Sequence, residues 1–225
     1  APGAPGAPGG GGWQPAGGGM GGRRGTRGAK AKPGTPKVPG VPGAAPPPGD
    51  VGAGGNISVT MTPNQKKALD ILSKYESAGS GGYNAVNQIG VSGGRGTKGY
   101  AGDFSKMKQH GGRKLTDMTV GEILALQSEK PGMSDAEWIK QGRLHAVGRY
   151  QFIGNTLPGV VRRAGIPRDA KFTKEVQDLL ALQYMKERGI GAWVGPSDKA
   201  TAEERRIIEA ARKDPIKFAK AEGKA

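Results

Sequence analysis

The sequence contains no cysteine. Disulfides, cysteine metal sites and a thiol nucleophile are therefore excluded, and the fold must depend on its own hydrophobic core. Long apolar runs are also absent, so we expect no membrane span. The first residues lack the regions of a signal peptide and an initiator methionine, as expected of a processed or excised piece of a longer product.

Glycine and proline, by contrast, are abundant. They account for 42 and 17 of the 225 residues, and much of both falls before Asn56. The chain opens with Ala-Pro-Gly three times, and such a composition cannot bury enough apolar surface to offset the entropy lost on ordering. We predict a disordered, basic Gly/Pro-rich arm over residues 1–56 and one globular domain over residues 57–225.

The formal net charge of +15 favours polyanionic partners: nucleic acid, an anionic membrane surface or a bacterial cell wall. Nucleic-acid binding would be favoured by basic residues interleaved with aromatic residues or by a known motif, and the sequence has neither. The two histidines, His110 and His145, have no third nitrogen or sulfur ligand beside them in the sequence. We therefore expect no metal and no cofactor.

Helix signals dominate the domain. A Ser or Thr followed three residues later by Glu or Gln is typical of a helix start, and this pattern occurs at Thr62, Thr119, Ser134 and Thr201. Thr173 precedes a further strong helical pattern, and Asp214-Pro215 indicates a short last helix. Residues 90–116 are rich in glycine and charge and predict a long loop or loose hairpin. The expected fold class is mainly α, of the α+β type, with a small β-hairpin.

Glu76 is the residue around which a function can be argued. It ends the first predicted helix on the flank of the buried stripe, four residues after Leu72, and glycines follow at 79, 81 and 82. Apolar neighbours raise the pKa of a carboxyl group because they penalise its charged form, so a general acid can stay protonated there near neutral pH. Glutamates at helix ends are more often solvated surface groups, so position alone does not establish a site.

Three segments occur in a characteristic order: Glu76 with Gly82-Tyr83-Asn84 after it, then Gly148-Arg149-Tyr150-Gln151, then Leu182 to Gly189. Over residues 60–195 the chain resembles the lysozyme-like superfamily, most closely the phage lytic transglycosylases related to the lambda endolysin and their virion-associated relatives. The resemblance implies a helical domain with a small β element, a glycan-binding cleft, and Glu76 as the catalytic acid.

The same resemblance implies the substrate contacts. Tyr150 and Gln151 would line the cleft, with Tyr83 and Asn84 near its floor. Gln183 and Tyr184 are further candidates, although such residues on a helix more often pack or form local hydrogen bonds. Tyr150 and Phe152 alternate along the chain, and of the two we predict Phe152 in the core.

Cleavage of a glycosidic bond requires an acid that protonates the leaving oxygen. Hydrolysis also requires a second carboxylate, for which Asp103 and Asp117 are the nearest candidates. A lytic transglycosylase instead uses the same glutamate again as a base, while the 6-hydroxyl of the muramic acid attacks its own anomeric carbon. We expect this route at the MurNAc-GlcNAc β-1,4 bond of peptidoglycan, with hydrolysis by a muramidase as the first alternative.

Two alternatives lie outside catalysis: an inactive wall-binding or structural module of a virion, and a packaging or ejection protein that acts on nucleic acid through the basic arm. The expected partners are peptidoglycan glycan strands, with other virion or tail proteins as candidate partners of the arm. The expected location is the virion, with action in the host cell envelope during genome entry or lysis.

Overall fold

The computed structural model describes residues 57–89, 99–128 and 132–220. All of them lie in one compact unit, Asp50–Ala225. The arm expected over residues 1–56 and part of the expected glycine-rich loop, residues 90–98, lie outside the described residues.

Seven α-helices form the larger part of the regular secondary structure of the described domain. They are α1 (Pro63–Glu76), α2 (Val120–Gln127), α3 (Asp135–Lys140), α4 (Leu157–Arg163), α5 (Lys174–Arg188), α6 (Val194–Lys199) and α7 (Ala202–Lys213). Within the described ranges, no helix is both long and apolar enough to cross a membrane.

The predicted helix starts are confirmed. Four residues form capping boxes: Thr62, Thr119, Ser134 and Thr201. The side chain of each accepts a hydrogen bond from the backbone N–H of the residue three positions later, and the Gln or Glu side chain of that later residue accepts one from the backbone N–H of the cap. Thr173 likewise caps α5. The sequence did not predict α4 and α6, whose N-cap residues make no side-chain capping hydrogen bond.

The β structure is larger than the single hairpin expected. The strands are β1 (Ile57–Thr60), β2 (Ala85–Asn87), β3 (Ala101–Asp103), β4 (Ala146–Val147), β5 (Phe152–Ile153) and β6 (Lys217–Lys220). β2 to β5 form an antiparallel sheet in the order β3-β2-β4-β5, and β1 pairs with β6 in a separate antiparallel ribbon. The domain is therefore of the α+β type with small sheets.

The short last helix expected at Asp214-Pro215 is wrong. Asp214 ends α7 and accepts a hydrogen bond from the Thr62 hydroxyl, while the Pro215 carbonyl accepts one from Gln65 Nε2 at 3.2 Å. These contacts lead the chain into β6, which pairs with β1. The local Asp-Pro signal could not reveal a partner strand at the opposite end of the domain.

The core is arranged around α5. Eight of its 15 residues are buried, so it is a central helix and not a surface helix with one apolar stripe. It packs against α1, α4, α7 and β1. Two of its buried residues, Gln177 and Asp178, are polar, and both reach towards the loops near the candidate site.

Candidate active site around Glu76

Glu76 is the last residue of α1, and it is partly buried on the flank of the helix face that carries Leu72. The N–H of Ser77 closes the helix by donating to the Ser73 carbonyl at 3.0 Å. The chain then turns sharply, which requires positive φ angles at three glycines: Gly79 (78°), Gly81 (106°) and Gly82 (58°). The predicted helix end is confirmed.

The environment of Glu76 favours the protonated form of its carboxyl group. Burial raises the pKa of Glu76 to about 7, against the opposing effects of a hydrogen bond from the Gly195 backbone N–H and the positive charge of Lys199. Desolvation dominates because it penalises the carboxylate and not the neutral acid. A group with this pKa exchanges a proton readily near neutral pH, as both a general acid and a general base must.

Gly195 lies directly against the Glu76 carboxyl group. A Cβ atom added to Gly195 would be 3.0 Å from Glu76 Oε1 and 3.4 Å from the Tyr75 carbonyl oxygen. The backbone of α6 can therefore approach the acid this closely because residue 195 has no side chain.

Trp193 fixes the start of α6. Its indole N–H donates to the Tyr150 carbonyl at 2.9 Å, and its ring lies edge-on to the ring of Tyr184, with centroids 5.2 Å apart. The Phe152 ring is 6.5 Å away. The position of Gly195 beside Glu76 thus depends on an aromatic cluster that Trp193 forms with Tyr184 of α5 and Phe152 of β5.

The glycine turn after Glu76 runs along β3. A Cβ atom added to Gly81 would be 2.9 Å from the Asp103 Cα, so the two backbones are in close contact. The Asp103 carboxylate accepts hydrogen bonds from the N–H and hydroxyl of Ser105, at 2.9 and 2.8 Å. Asp117, the other candidate second carboxylate, is exposed in the turn before α2.

Tyr83 is occupied by contacts inside the protein. Its hydroxyl donates to the Asp178 carboxylate at 2.9 Å and accepts from Arg149 Nη1 at 2.9 Å. Arg149 and Lys174 also lie over the ring, 5.1 and 5.7 Å from its centroid. Burial, with the nearby Asp178, raises the pKa of Tyr83 to about 12. Tyr83 therefore holds the loop after the glycine turn in place.

Asn84, next along the chain, is partly buried. Its Oδ1 atom is shielded from solvent and has no hydrogen-bond partner among the described residues. A ligand donor could satisfy it, so the predicted role of Asn84 in substrate binding stays a prediction.

The expectation that Tyr150 lines an open cleft is wrong. The side chain is fully buried, and its hydroxyl donates to Asp178 at 2.6 Å. Burial, together with Asp178, raises the pKa of the Tyr150 hydroxyl. Phe152 is buried as predicted, so both aromatic residues belong to the core. The spacing could not separate them, because residues two apart in an extended segment point to the same face.

Gln151 lies in that turn. Its φ is 48°, unusual for a residue other than glycine, and its side-chain amide donates to the Gly148 carbonyl at 2.9 Å. Buried Gln177 holds the same turn: its Oε1 accepts from the Arg149 N–H, and its Nε2 donates to the Tyr83 carbonyl. Gln151 remains partly exposed, and its predicted contact with substrate stays a prediction.

Gln183 and Tyr184 make the local contacts expected of helix residues. Gln183 Nε2 donates to Glu187 at 2.7 Å, one turn along α5, and the Tyr184 ring packs on Trp193. Both are partly exposed. These contacts favour packing over a role in substrate binding.

The most informative residue that the sequence did not reveal is Gly195. No capping signal marks α6, so nothing in the sequence predicted a helix opposite Glu76. Asp178 was also missed, because a single acid within an apolar helical pattern gives no indication that two tyrosines bind it.

Comparisons with models of protein families, with curated proteins and with solved structures gave no match for this chain.

Proposed function

We propose that this domain is a lysozyme-like, peptidoglycan-cleaving enzyme that breaks the MurNAc-GlcNAc β-1,4 bond with Glu76 as its catalytic acid. The observation that carries the proposal is the state of Glu76: a partly buried carboxyl group at a helix end, with its pKa raised to about 7. The motif order in the sequence supplies the substrate class.

The reaction starts from the neutral carboxyl group. Glu76 donates its proton to the glycosidic oxygen while positive charge develops on the muramic acid ring. The carboxylate that results is stabilised by the Gly195 N–H and by Lys199, the two groups that oppose the raised pKa. It then takes a proton from the attacking hydroxyl group, which restores the acid for the next cycle.

A single-carboxylate route fits this environment better than hydrolysis. Burial, the Gly195 N–H and the charge of Lys199 are the causes of the shift in the pKa of Glu76, and no carboxylate of the described residues is among them. The muramic 6-hydroxyl is tethered next to the reacting carbon and gains the large effective molarity of an intramolecular attack. The product is then a 1,6-anhydro sugar: one C–O bond breaks, one forms, and no water is consumed.

The muramidase alternative has one structural candidate for its second carboxylate. Asp103 contacts Gly81, which lies in the turn after Glu76. Its carboxylate already accepts two hydrogen bonds from Ser105. Mass spectrometry of a peptidoglycan digest before and after borohydride treatment distinguishes the two reactions. Anhydro products resist reduction and support transglycosylation, whereas reducible ends would establish hydrolysis and make Asp103→Asn the next variant to test.

The proposal itself is tested with Glu76→Gln on purified peptidoglycan. The amide keeps the shape of the side chain and removes the transferable proton, so we expect loss of at least about 100-fold in rate with an unchanged circular dichroism spectrum. Glu203→Gln, an exposed glutamate on α7, is the matched control and should retain full activity. Residual activity near that of the unaltered chain would refute the role of Glu76. If the unaltered chain binds walls without cleaving them, the domain is a binding module.

A further inference from the structure

The ends of three helices meet on one side of the domain. Arg163, the last residue of α4, forms an ion pair with Glu187 near the end of α5, at 2.7 Å. Arg212, in the last turn of α7, donates a hydrogen bond from Nε to the Lys186 carbonyl of α5 at 3.0 Å. The carboxyl-terminal ends of α4, α5 and α7 therefore lie together, and each contributes basic residues to the same surface.

Strand β6 adds to this surface. Lys220 Nζ donates to the carbonyl of Gly165, just after α4, at 2.8 Å, and Lys217 starts the strand soon after α7 ends. We call the surface formed by these four segments the basic end. Its basic residues are Arg162, Arg163, Lys186, Arg188, Arg212, Lys213, Lys217 and Lys220, and its acidic residues are Glu187, Glu209 and Asp214. Positive charge therefore prevails there, which favours an anionic partner.

Much of this charge is open to solvent. Of the basic residues, five are exposed and form neither an ion pair nor a side-chain hydrogen bond with described residues: Arg162, Lys186, Arg188, Lys213 and Lys217. Among the acids, Asp214 is bound to the Thr62 hydroxyl and Glu187 to Arg163. Basic residues in the last turn of a helix stabilise its dipole, which accounts for those on the helices but not for Lys217, which lies on a strand.

Phe218 gives the basic end an apolar group. Its side chain is 42% exposed, and all four residues of β6 are exposed. It lies between Lys217 and Lys220 in the sequence and pairs with Val59 of β1. An exposed aromatic ring among basic residues is the combination that binds anionic membrane surfaces, because the ring enters the headgroup region while the cations meet the lipid phosphates.

Other anionic partners fit this surface less well. A soluble phosphate polymer would use the charge alone and leave Phe218 exposed. Nucleic-acid strands stack successive bases on several aromatic rings, and Phe218 is the one aromatic residue in the described segments that form the basic end. An anionic bilayer accounts for the charge and the ring together.

We propose that the basic end docks the domain on a membrane that contains anionic phospholipids. Phe218 enters the headgroup region, and the exposed lysines and arginines around it bind the lipid phosphates. This inference goes beyond the proposed function and does not depend on it, because no step of glycan cleavage is involved.

Docking in this way leaves Glu76 on the side of the domain away from the membrane. Thr62, the N-cap of α1, is bound to Asp214 at the end of α7, so the start of α1 lies near the basic end. Glu76 is the last of the 14 residues of α1, about 20 Å further along the helix axis. The candidate site therefore stays clear of the bilayer.

The test is co-sedimentation of the full chain with lipid vesicles. Vesicles of phosphatidylcholine with an equal amount of phosphatidylglycerol present an anionic surface, and vesicles of phosphatidylcholine alone are the control. We expect binding to the anionic vesicles at low salt and none to the neutral ones. The affinity should fall as salt is added, because salt screens the attraction.

Removal of charge from the basic end separates its contribution from that of the basic residues before Asn56. Four exposed residues are changed together: Lys186→Gln, Arg188→Gln, Lys213→Gln and Lys217→Gln. We expect binding to anionic vesicles to weaken at least about tenfold. The matched control changes four exposed lysines elsewhere: Lys106→Gln, Lys108→Gln, Lys114→Gln and Lys140→Gln. The control should lose less than about threefold, because it lowers the net charge equally but leaves the docking surface complete.

Phe218→Trp reports directly on contact with the bilayer. The indole that it introduces should fluoresce at shorter wavelength on anionic vesicles and be quenched by brominated lipid, since both effects require entry into the headgroup region. Ile153→Trp, at an exposed apolar position on β5, is the matched control and should show neither change. Phe218→Ser should weaken vesicle binding several-fold.

Three results would overturn the proposal: equal binding to neutral vesicles, an equal loss in the two four-residue variants, or a vesicle-bound Phe218→Trp chain that brominated lipid does not quench. The last result would make the basic end a site for soluble polyanions only. If the variant that lacks four charges does not fold, quenching in Phe218→Trp still decides. Glu76→Gln should bind vesicles as the unaltered chain does, so a failure of the proposed cleavage leaves this inference intact.

Discussion

Burial raises the pKa of two carboxyl groups in this domain, Asp178 and Glu76, but the groups that oppose this effect differ in number. Asp178 accepts hydrogen bonds from the hydroxyls of Tyr83 and Tyr150 and lies 4.0 Å from Arg149, so two hydrogen bonds and one positive charge oppose the burial that raises its pKa. Glu76 has one backbone N–H and a lysine charge. Because hydrogen bonds and positive charge favour the ionised form, Asp178 is suited to hold loops together and Glu76 to transfer protons.

The pKa of Glu76 predicts how activity depends on pH. The proposed acid must be protonated at the start of the reaction, so the rate should be level below about pH 6 and fall about tenfold per pH unit above about pH 7. Initial rates on purified peptidoglycan across this range, with circular dichroism at each pH, measure the effect. A rate that stays level to about pH 9 in a folded protein would contradict the assignment.

The raised pKa of Glu76 also predicts that the free energy of unfolding depends on pH. The pKa of Glu76 is raised in the folded state, so the stabilisation from its protonated form is complete below the unfolded value near 4.5 and is lost as the pH rises through about 7. Glu76→Gln cannot ionise. It should match the unaltered chain near pH 4 and exceed it by up to about 3 kcal/mol well above pH 7. Urea unfolding at both pH values tests this, and an equal difference at both would count against a buried, titrating Glu76.

Tyr150 gives a prediction opposite to the one its sequence pattern suggested. Tyr150→Phe removes a hydrogen bond to the buried Asp178 carboxylate, so the free energy of unfolding should fall by about 1–3 kcal/mol. Turnover per folded molecule should change little, because the hydroxyl points into the core. Urea unfolding and peptidoglycan cleavage are measured side by side, with Tyr184→Phe, on the partly exposed face of α5, as the control. If Tyr150→Phe kept its stability but lost turnover, Tyr150 would act in the cleft and not as a core residue.

At the scale of the elements, prediction from sequence succeeded where the signal was local. Thr62 and Thr119 marked helix starts because a capping box is formed by residues only three apart. Prediction failed for β6, because this strand depends on pairing with the distant strand β1. It also failed for α6, because no side-chain cap marks the start of that helix. The position of Glu76 at the end of α1 could therefore be predicted from sequence, whereas the approach of Gly195 to its carboxyl group could not.

The contact between α6 and α1 makes a prediction of its own. In Gly195→Ala the new methyl group would be 3.0 Å from Glu76 Oε1, so the carboxyl group must shift. Small displacements of a catalytic group are costly, and we expect a rate loss of about 10- to 100-fold. The helix should not be weakened, since alanine favours a helix by about 0.8–1 kcal/mol over glycine.

Gly191→Ala is the matched control, because a Cβ at that position meets nothing within 4 Å. Peptidoglycan cleavage and thermal unfolding of the two variants separate an effect on the acid from an effect on the fold. Equal activity of both variants would show that α6 does not position Glu76.

At the scale of the whole molecule, charge is divided between the arm and the domain. Residues 1–55 carry six basic residues, Arg23, Arg24, Arg27, Lys30, Lys32 and Lys37, against the single acid Asp50. The described domain begins at Ile57, where β1 pairs with β6, so a deletion that ends at residue 55 leaves that pairing complete. The arm can therefore be removed without cutting into the described fold.

Deletion of residues 1–55 should leave cleavage of short glycan fragments unchanged and weaken attack on whole cell walls at low salt. Attraction between the basic arm and an anionic wall acts over a screening length of about 30 Å at 0.01 M salt but only about 3 Å at 1 M. The difference between the full and shortened chains should therefore disappear as salt is added. A full-length chain with the six basic residues replaced by glutamine is the matched control, and it should behave like the deletion if charge is the cause. Equal loss on short fragments and on walls would instead make the arm a part of the catalytic domain, because short fragments offer no extended anionic surface for the arm to bind.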